Sequence, residues 1–178
     1  MSLTLGYLVL DSRLTNELVF GYMLETLNHI PLFQDLEVGQ IRKLEPLFEH
    51  LSYQPNSIIF TQDQGANYLY VLLKGVIAIT YKPYDGPSIT ITHLQTGDIF
   101  GWSAVVGSKQ YTSSSNSTSE VEVVRVLATD LWKFVRSNPK TGAFILNRLA
   151  SGVSKRWKNS HIQVQAMLDK GMTEAKKK

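Results

Sequence analysis

The sequence contains no cysteine, which excludes a disulfide framework, a thiolate metal site and a cysteine nucleophile. Its four histidines, His29, His50, His93 and His161, lack the spacing of metal ligands, so we expect no metal. No apolar run approaches the roughly 20 residues that a membrane-spanning helix needs, and no basic segment precedes the first apolar one. These absences predict a cytoplasmic protein without a membrane segment.

Charged residues are also few, at 19%, and the positive ones concentrate at the C-terminal end. Residues 1–150 carry 11 Lys and Arg against 13 Asp and Glu, whereas residues 151–178 carry 7 against 2. Such a basic end can bind nucleic acid or anionic lipid, but a lysine tail is more often simply solvated. The 178 residues, 43% of them hydrophobic, predict one domain with one core.

Apolar residues at helical spacing predict an N-terminal helical cap over residues 1–50. One helix would place Leu14, Leu18, Tyr22 and Leu27 on a single face. A second would carry an apolar stripe of Leu36, Ile41, Leu44, Leu47 and Phe48.

From Leu51 the apolar period changes to two, which predicts a β domain over residues 51–129. Turn residues such as Lys74-Gly75 and Gly86-Pro87 separate the runs, and their even spacing favours an antiparallel meander over alternating strands and helices. The predicted strands are Ser57 to Phe60, Tyr68 to Leu73, Val76 to Tyr81, Ile89 to Leu94, Ile99 to Trp102 and Val121 to Val126.

Helical spacing returns in residues 130–178. A short helix around Leu131 and Phe134 should end at Asn138-Pro139, because the residue before a proline is disfavoured in the α region. A helix of about 30 residues, from about Lys140 to about Asp169, would be about 45 Å long, more than a domain of this size can cover. Its heptad seam consists of Leu146, Ala150, Val153, Trp157, Ser160, Val164 and Met167.

The segment from Gly97 to Val126 is the strongest candidate for a binding site. Two glycines, Gly97 and Gly101, flank an apolar pair, and a run of small and hydroxyl residues follows. Backbone N–H groups and hydroxyls in such a segment can form a nest for an anion or a small ligand. An ordinary turn and surface loop explains the same residues equally well.

Several of these motifs together resemble the cyclic nucleotide-binding domain of the catabolite-activator/FNR superfamily. They are Leu-Tyr-Val-Leu-Leu-Lys-Gly at 69–75, Gly-Asp-Ile-Phe-Gly at 97–101 and Asn-Pro at 138–139, and the resemblance covers about residues 25–168. It implies a mainly β fold with flanking helices. That fold is a double-stranded β-helix, or jelly roll, with an N-terminal helical cap and a long C-terminal helix that dimerises and relays ligand occupancy.

The resemblance also implies ligand-binding positions, of which two are altered here. In nucleotide-binding members a glutamate after the second glycine contacts the ribose, and an arginine about ten residues later contacts the cyclic phosphate. Here Trp102 stands at the glutamate position and Tyr111 at the arginine position. A tyrosine offers one neutral donor instead of a charged fork, which lowers phosphate affinity by about a hundredfold. The implied ligand-binding residues are Gly101, Trp102, Ser103, Tyr111, Thr112, Ser113 and Ser160.

Two interpretations of the altered loop remain open. In one, Lys109 or Arg125 supplies positive charge and cyclic nucleotides bind weakly. In the other, which we favour, Trp102 and Tyr111 fill or reshape the pocket, which then holds a different ligand or none. Trp102 could instead belong to the core.

Three classes of function follow from these observations. The first is a ligand-sensing regulatory module that acts on a separate effector protein, and the second is a ligand-free structural or protein-interaction module. The third class is an enzyme. We do not expect one, because the predicted β domain lacks a cluster of histidines and carboxylates, and only His93 lies in a predicted strand. The resemblance also implies no sequence-specific DNA binding, because transcription factors of the superfamily need about 70 further residues for their helix-turn-helix.

Ser160 is the one polar side chain in the heptad seam. The resemblance places Ser160 and His161 where the dimerising helix reaches the nucleotide base. Alternatively, Ser160 only fixes the register between two helices, because a polar seam residue lowers stability unless it does so.

We predict that the chain forms a homodimer through residues 140–168. Trp157→Glu should weaken this dimer, because it places a carboxylate in the apolar seam. Sedimentation or light scattering at micromolar concentrations measures the effect. A wild-type protein that is strictly monomeric, with a mass unchanged by the substitution, would contradict the prediction.

Overall fold

The computed structural model describes residues 30–84 and 86–152. The helices are α1 (Val38–Leu44), a 3-10 helix (Glu45–Leu47), a second 3-10 helix (Trp102–Ala104), α2 (Ala128–Ser137) and α3, which is helical over the described residues 139–152. The strands are β1 (Phe48–Tyr53), β2 (Ile58–Phe60), β3 (Tyr68–Lys74), β4 (Ile77–Tyr81), β5 (Ile89–Leu94), β6 (Ile99–Phe100), β7 (Ser114–Ser117) and β8 (Val121–Leu127).

The strands form two antiparallel sheets of four strands each. Their orders are β1-β8-β3-β6 and β2-β7-β4-β5. Within the described residues only β4 and β5 are neighbours both in sequence and in a sheet. The antiparallel arrangement and the jelly roll with flanking helices are therefore confirmed, but the meander is wrong. Even strand spacing does not distinguish hairpins from crossovers, so period and spacing could not reveal this topology.

The first sheet separates two hydrophobic clusters. One cluster lies between this sheet and the helices and includes Leu44, Val124 and Ile145. The other lies between the two sheets, inside the roll, and includes Leu72 and Val123. Neighbouring residues on β8 contribute to different clusters because successive side chains of a strand point to opposite faces.

The predicted second helix is shorter than its apolar stripe. Helix α1 ends at Leu44, and a separate 3-10 helix that contains Pro46 begins at Glu45, because a proline cannot donate the hydrogen bond that continues an α-helix. Leu36 lies before the helix, and Phe48 is the first residue of β1. Phe48 still packs against the helix-side cluster, which explains why it fits the apolar pattern.

Strand β7 was not predicted, because its sequence Ser-Ser-Asn-Ser has no apolar alternation. It nevertheless alternates in burial, since Ser115 and Ser117 are 0% and 1% exposed. Ser117 Oγ donates to Gln54 O at 2.6 Å, which satisfies this buried hydroxyl. Side-chain hydrogen bonds thus replace apolar burial in part of this strand.

The boundary between α2 and α3 is confirmed. Helix α2 ends at Ser137, Asn138 adopts a non-helical conformation, and α3 begins at Pro139. The rest of the predicted long helix, with its seam from Val153 onward, lies outside the described residues.

Gly75, between β3 and β4, should be intolerant of a side chain. Its φ is +90°, and an added Cβ would lie 2.3 Å from the carbonyl oxygen of Glu120. We expect Gly75→Ala to lower the free energy of unfolding by at least about 2 kcal/mol, measured by urea denaturation.

Gly39→Ala is the matched control, because Gly39 lies in α1 with no atom within 4 Å of an added Cβ. It should raise the free energy of unfolding by about 0.5–1 kcal/mol. Equal unfolding midpoints for the two variants would show that the Gly75 turn is not constrained as described.

Candidate functional site

Gly101 lies where the loop after β6 turns away from the roll. Its φ is +76°, and an added Cβ would lie 2.7 Å from the carbonyl oxygen of Tyr68. Glycine is therefore required here both for the left-handed conformation and for the close approach to β3. The predicted strand ends at Phe100, and Trp102 begins a 3-10 helix.

The Trp102 side chain packs against the cluster between the first sheet and the helices. A Cβ on Gly152 of α3 would lie 3.4 Å from Trp102 Cη2, so the glycine leaves room for the indole ring. The indole Nε1 is buried and has no hydrogen-bond partner within the described part of the chain. Trp102 therefore connects the loop to α3 and does not belong to the cluster inside the roll.

Tyr111, in contrast, lies inside the roll and is 3% exposed. Its ring stacks on Phe60 with centroids 3.9 Å apart and an angle of 18° between the planes. Its hydroxyl accepts a hydrogen bond from the Tyr68 N–H at 3.1 Å and donates to the Tyr68 carbonyl at 2.9 Å. The side chain at the position implied for a phosphate-binding arginine is thus packed and hydrogen-bonded within the protein.

The other predicted site residues occupy different environments. Ser103 is buried in the 3-10 helix, and its carbonyl accepts a hydrogen bond from the Ser108 N–H at 3.1 Å. Thr112 is exposed and Ser113 is half-buried, both directly before β7. The structure thus groups Gly101, Ser103 and the residues around Tyr111 in one loop region, whereas Ser160 lies outside the described residues.

Arg125 on β8 is a charged group in contact with this aromatic interior. It is paired across the sheet with Glu49 on β1 and Tyr70 on β3, so all three side chains share the interior face. Its guanidinium carbon lies 4.1 Å from the centroid of the Tyr68 ring. Lys109 is exposed at the loop surface. Of the two cations considered from the sequence, only Arg125 faces the interior.

The electrostatics of this region keep its tyrosines neutral and its arginine charged. Burial is the main cause that raises the pKa of Tyr70 to about 12, and burial also raises the pKa of Tyr111. Burial lowers the pKa of Arg125, but interactions with Glu49 and Tyr70 outweigh this effect and raise it. At neutral pH the interior therefore offers tyrosine hydroxyls and one guanidinium.

Across residues 30–84 and 86–152, no group of three or more His, Cys, Asp or Glu side chains is placed to hold a metal ion. Within the same residues, no helix is both long and apolar enough to cross a membrane.

Comparison with known proteins identifies the family. The sequence model of the cyclic nucleotide-binding domain family matches residues 50–138. The chain is 28% identical over 120 residues to the cAMP-activated global transcriptional regulator CRP of Pasteurella multocida, covering 66% of this chain and 56% of the relative. It is 26% identical over 144 residues to a cyclic nucleotide-gated channel of Caenorhabditis elegans, covering 78% of this chain and 19% of the channel. The chain thus spans only part of the length of these relatives.

Solved structures agree on the fold. A cyclic nucleotide-binding domain from Methylobacillus flagellatus superimposes with a TM-score of 0.74 at 20% identity, covering 85% of each chain. This likeness supports the jelly roll with flanking helices.

Tyr111→Phe should destabilise the protein, because it removes the hydroxyl that the partly buried N–H and carbonyl of Tyr68 share. We expect a loss of about 1–3 kcal/mol in the free energy of unfolding, measured by urea denaturation. Tyr84→Phe is the control, since Tyr84 is fully exposed and should show no change. An equally small effect at both positions would mean that the Tyr111 hydroxyl contributes little.

Proposed function

The chain belongs to the cyclic nucleotide-binding domain family, and we propose that it is a non-catalytic ligand-sensing domain that binds cyclic AMP and cyclic GMP only weakly. The observation that carries this proposal is the packing of Tyr111. A cyclic phosphate is held best by a charged, bidentate donor. The loop offers a buried neutral phenol instead, whose hydroxyl already serves the backbone of Tyr68.

The ligand-binding region in this proposal is the loop that begins at Gly101. Ser103, Thr112 and Ser113 would contribute hydroxyls, and Tyr111 would form the wall between the loop and the roll interior. Trp102 would act at the contact with α3 rather than on the ligand, because its ring packs beside Gly152. Ligand occupancy would then change how α3 packs, provided that the ligand binds the two arrangements with different affinity.

A second function is favoured by the stacking of Tyr111 on Phe60. With the ring centroids 3.9 Å apart, the two side chains occupy part of the roll interior themselves. The domain would then serve as a ligand-free interaction module. In both cases the output would be a homodimer through residues 140–168 and contact with a separate effector protein.

Calorimetry with cyclic AMP and cyclic GMP tests the proposal. We expect dissociation constants no tighter than about tens of micromolar for the wild-type protein. Tyr111→Arg should tighten binding by about tenfold or more, because it supplies a charge-assisted contact to the phosphate. The variant that also changes Trp102 to Glu is avoided, because it would bury a carboxylate among apolar side chains. An arginine at position 111 also replaces a buried ring, so urea denaturation checks that Tyr111→Arg remains folded at the concentrations used.

Tyr84→Arg is the matched control, since it adds the same charge at a fully exposed position. It should leave cyclic nucleotide affinity unchanged. Sub-micromolar binding by the wild-type protein would overturn the proposed weak affinity. Absence of binding by both the wild-type protein and Tyr111→Arg would favour the ligand-free module.

A further inference from the structure

Arg125 interrupts the apolar alternation on the interior face of β8. Val121 and Val123 precede it on that face, and both are 0% exposed. The pattern predicts a third apolar residue at this position. An arginine is unfavourable there, because burying a guanidinium requires the removal of its hydration. A residue that departs from its local pattern without an apolar gain is a candidate for function.

The guanidinium of Arg125 is held in a defined orientation. It lies over the Tyr68 ring at 4.1 Å from the centroid, and it also interacts with the Tyr70 side chain. Its Nε and Nη2 atoms both lie 2.8 Å from Glu49 Oε2. An arginine fixed by its neighbours in this way loses little conformational entropy when it binds an oxyanion.

Glu49 is a replaceable partner of this guanidinium. It lies on β1, an edge strand of the first sheet, and its side chain is 54% exposed, whereas that of Arg125 is 24% exposed. The carboxylate therefore covers the guanidinium from the solvent side. It can swing into water while the strand pairing stays intact, since an ion pair this exposed contributes little to stability.

We propose that Arg125 is an oxyanion-binding site at the end of the roll interior, covered by Glu49 until the phosphate or carboxylate of a ligand displaces that side chain. The inference rests on the proposed function and deepens it, because it assigns the ligand's anionic group to β8 instead of to the loop around Tyr111.

A second polar group inside the roll supports a ligand there. Ser115 is 0% exposed, and its Oγ has no hydrogen-bond partner among the described residues. It pairs with Ile79, whose side chain packs in the interior cluster. Ser115 thus places a hydroxyl without a partner among the described residues on the second sheet, whereas Arg125 lies on the first.

The test uses Glu49→Gln in the full chain, with inorganic phosphate and acetate as probes at constant ionic strength. The Nε–Hε resonance of Arg125, assigned by its loss in Arg125→Met, reports binding. Removing the competing charge should give saturable shifts with an affinity at least about tenfold higher than in the wild-type protein. A larger gain for phosphate indicates a phosphate ligand, and a larger gain for acetate indicates a carboxylate. Glu49→Ala repeats the test if the glutamine variant folds poorly.

The chain offers a matched control in the ion pair of Arg148 and Asp35. Arg148 Nη2 lies 2.6 Å from Asp35 Oδ2, and its guanidinium carbon lies 5.0 Å from the Phe144 ring centroid. This pair ties α3 to the segment before α1 rather than facing the roll. Asp35→Asn should therefore produce no gain in the affinity of either anion at Arg125, as measured by the Arg125 resonance.

Equal anion affinity in the wild-type protein and Glu49→Gln would overturn the inference. A gain at Arg125 that is matched in Asp35→Asn would also overturn it. So would a gain in phosphate affinity that calorimetry still finds when Glu49→Gln is combined with Arg125→Met, a variant in which the Arg125 resonance is absent. These results are independent of the proposed function. Tight cyclic AMP binding that Arg125→Met leaves unchanged contradicts the proposed weak affinity, whereas a failed phosphate titration contradicts only the site at Arg125.

Discussion

The alternation of side chains along β8 is the constraint on which both halves of the core depend. The strand pairs with β1 on one side and with β3 on the other, so it holds the first sheet together. Val124 and Val126 face the helices, while Val121 and Val123 face the roll interior. A shift of one residue in register would exchange these faces and bring Arg125 among the helices. The same register therefore determines the core and places a cation inside the roll.

The aromatic side chains inside the roll make that cation tolerable. Tyr68 offers its ring face to the guanidinium, and the Tyr70 hydroxyl interacts with it. Tyr70 in turn stacks on Phe100 with centroids 5.0 Å apart. An aromatic ring buries apolar area and still attracts a cation, which an aliphatic side chain cannot do. The interior can thus be densely packed and polar at one end.

Sequence patterns predicted most of the strands but only part of their arrangement. Strands β3, β4 and β8 are visible as apolar runs because one or both of their faces are buried. Strand β5 is visible through the alternation of Ile and Thr, although Leu94 is its one buried residue. Strand β7 buries serine hydroxyls and therefore has no such pattern, and β1 follows a 3-10 turn that continues the apolar stripe of α1. The crossovers between the sheets were predicted only through the family resemblance. They depend on contacts between residues far apart in sequence, which periodicity does not encode.

The candidate site shows the same limit at the level of single side chains. An alignment to a family motif assigns a position to Trp102 and Tyr111, but the turn at Gly101 and the packing around it decide which way each side chain points. Trp102 reaches α3, and Tyr111 reaches the roll interior. The signal for Arg125 was present in the sequence as a break in an alternating run of valines. Because the loop is attached to both clusters, it cannot shift on binding a ligand without changing the packing on both sides of the first sheet.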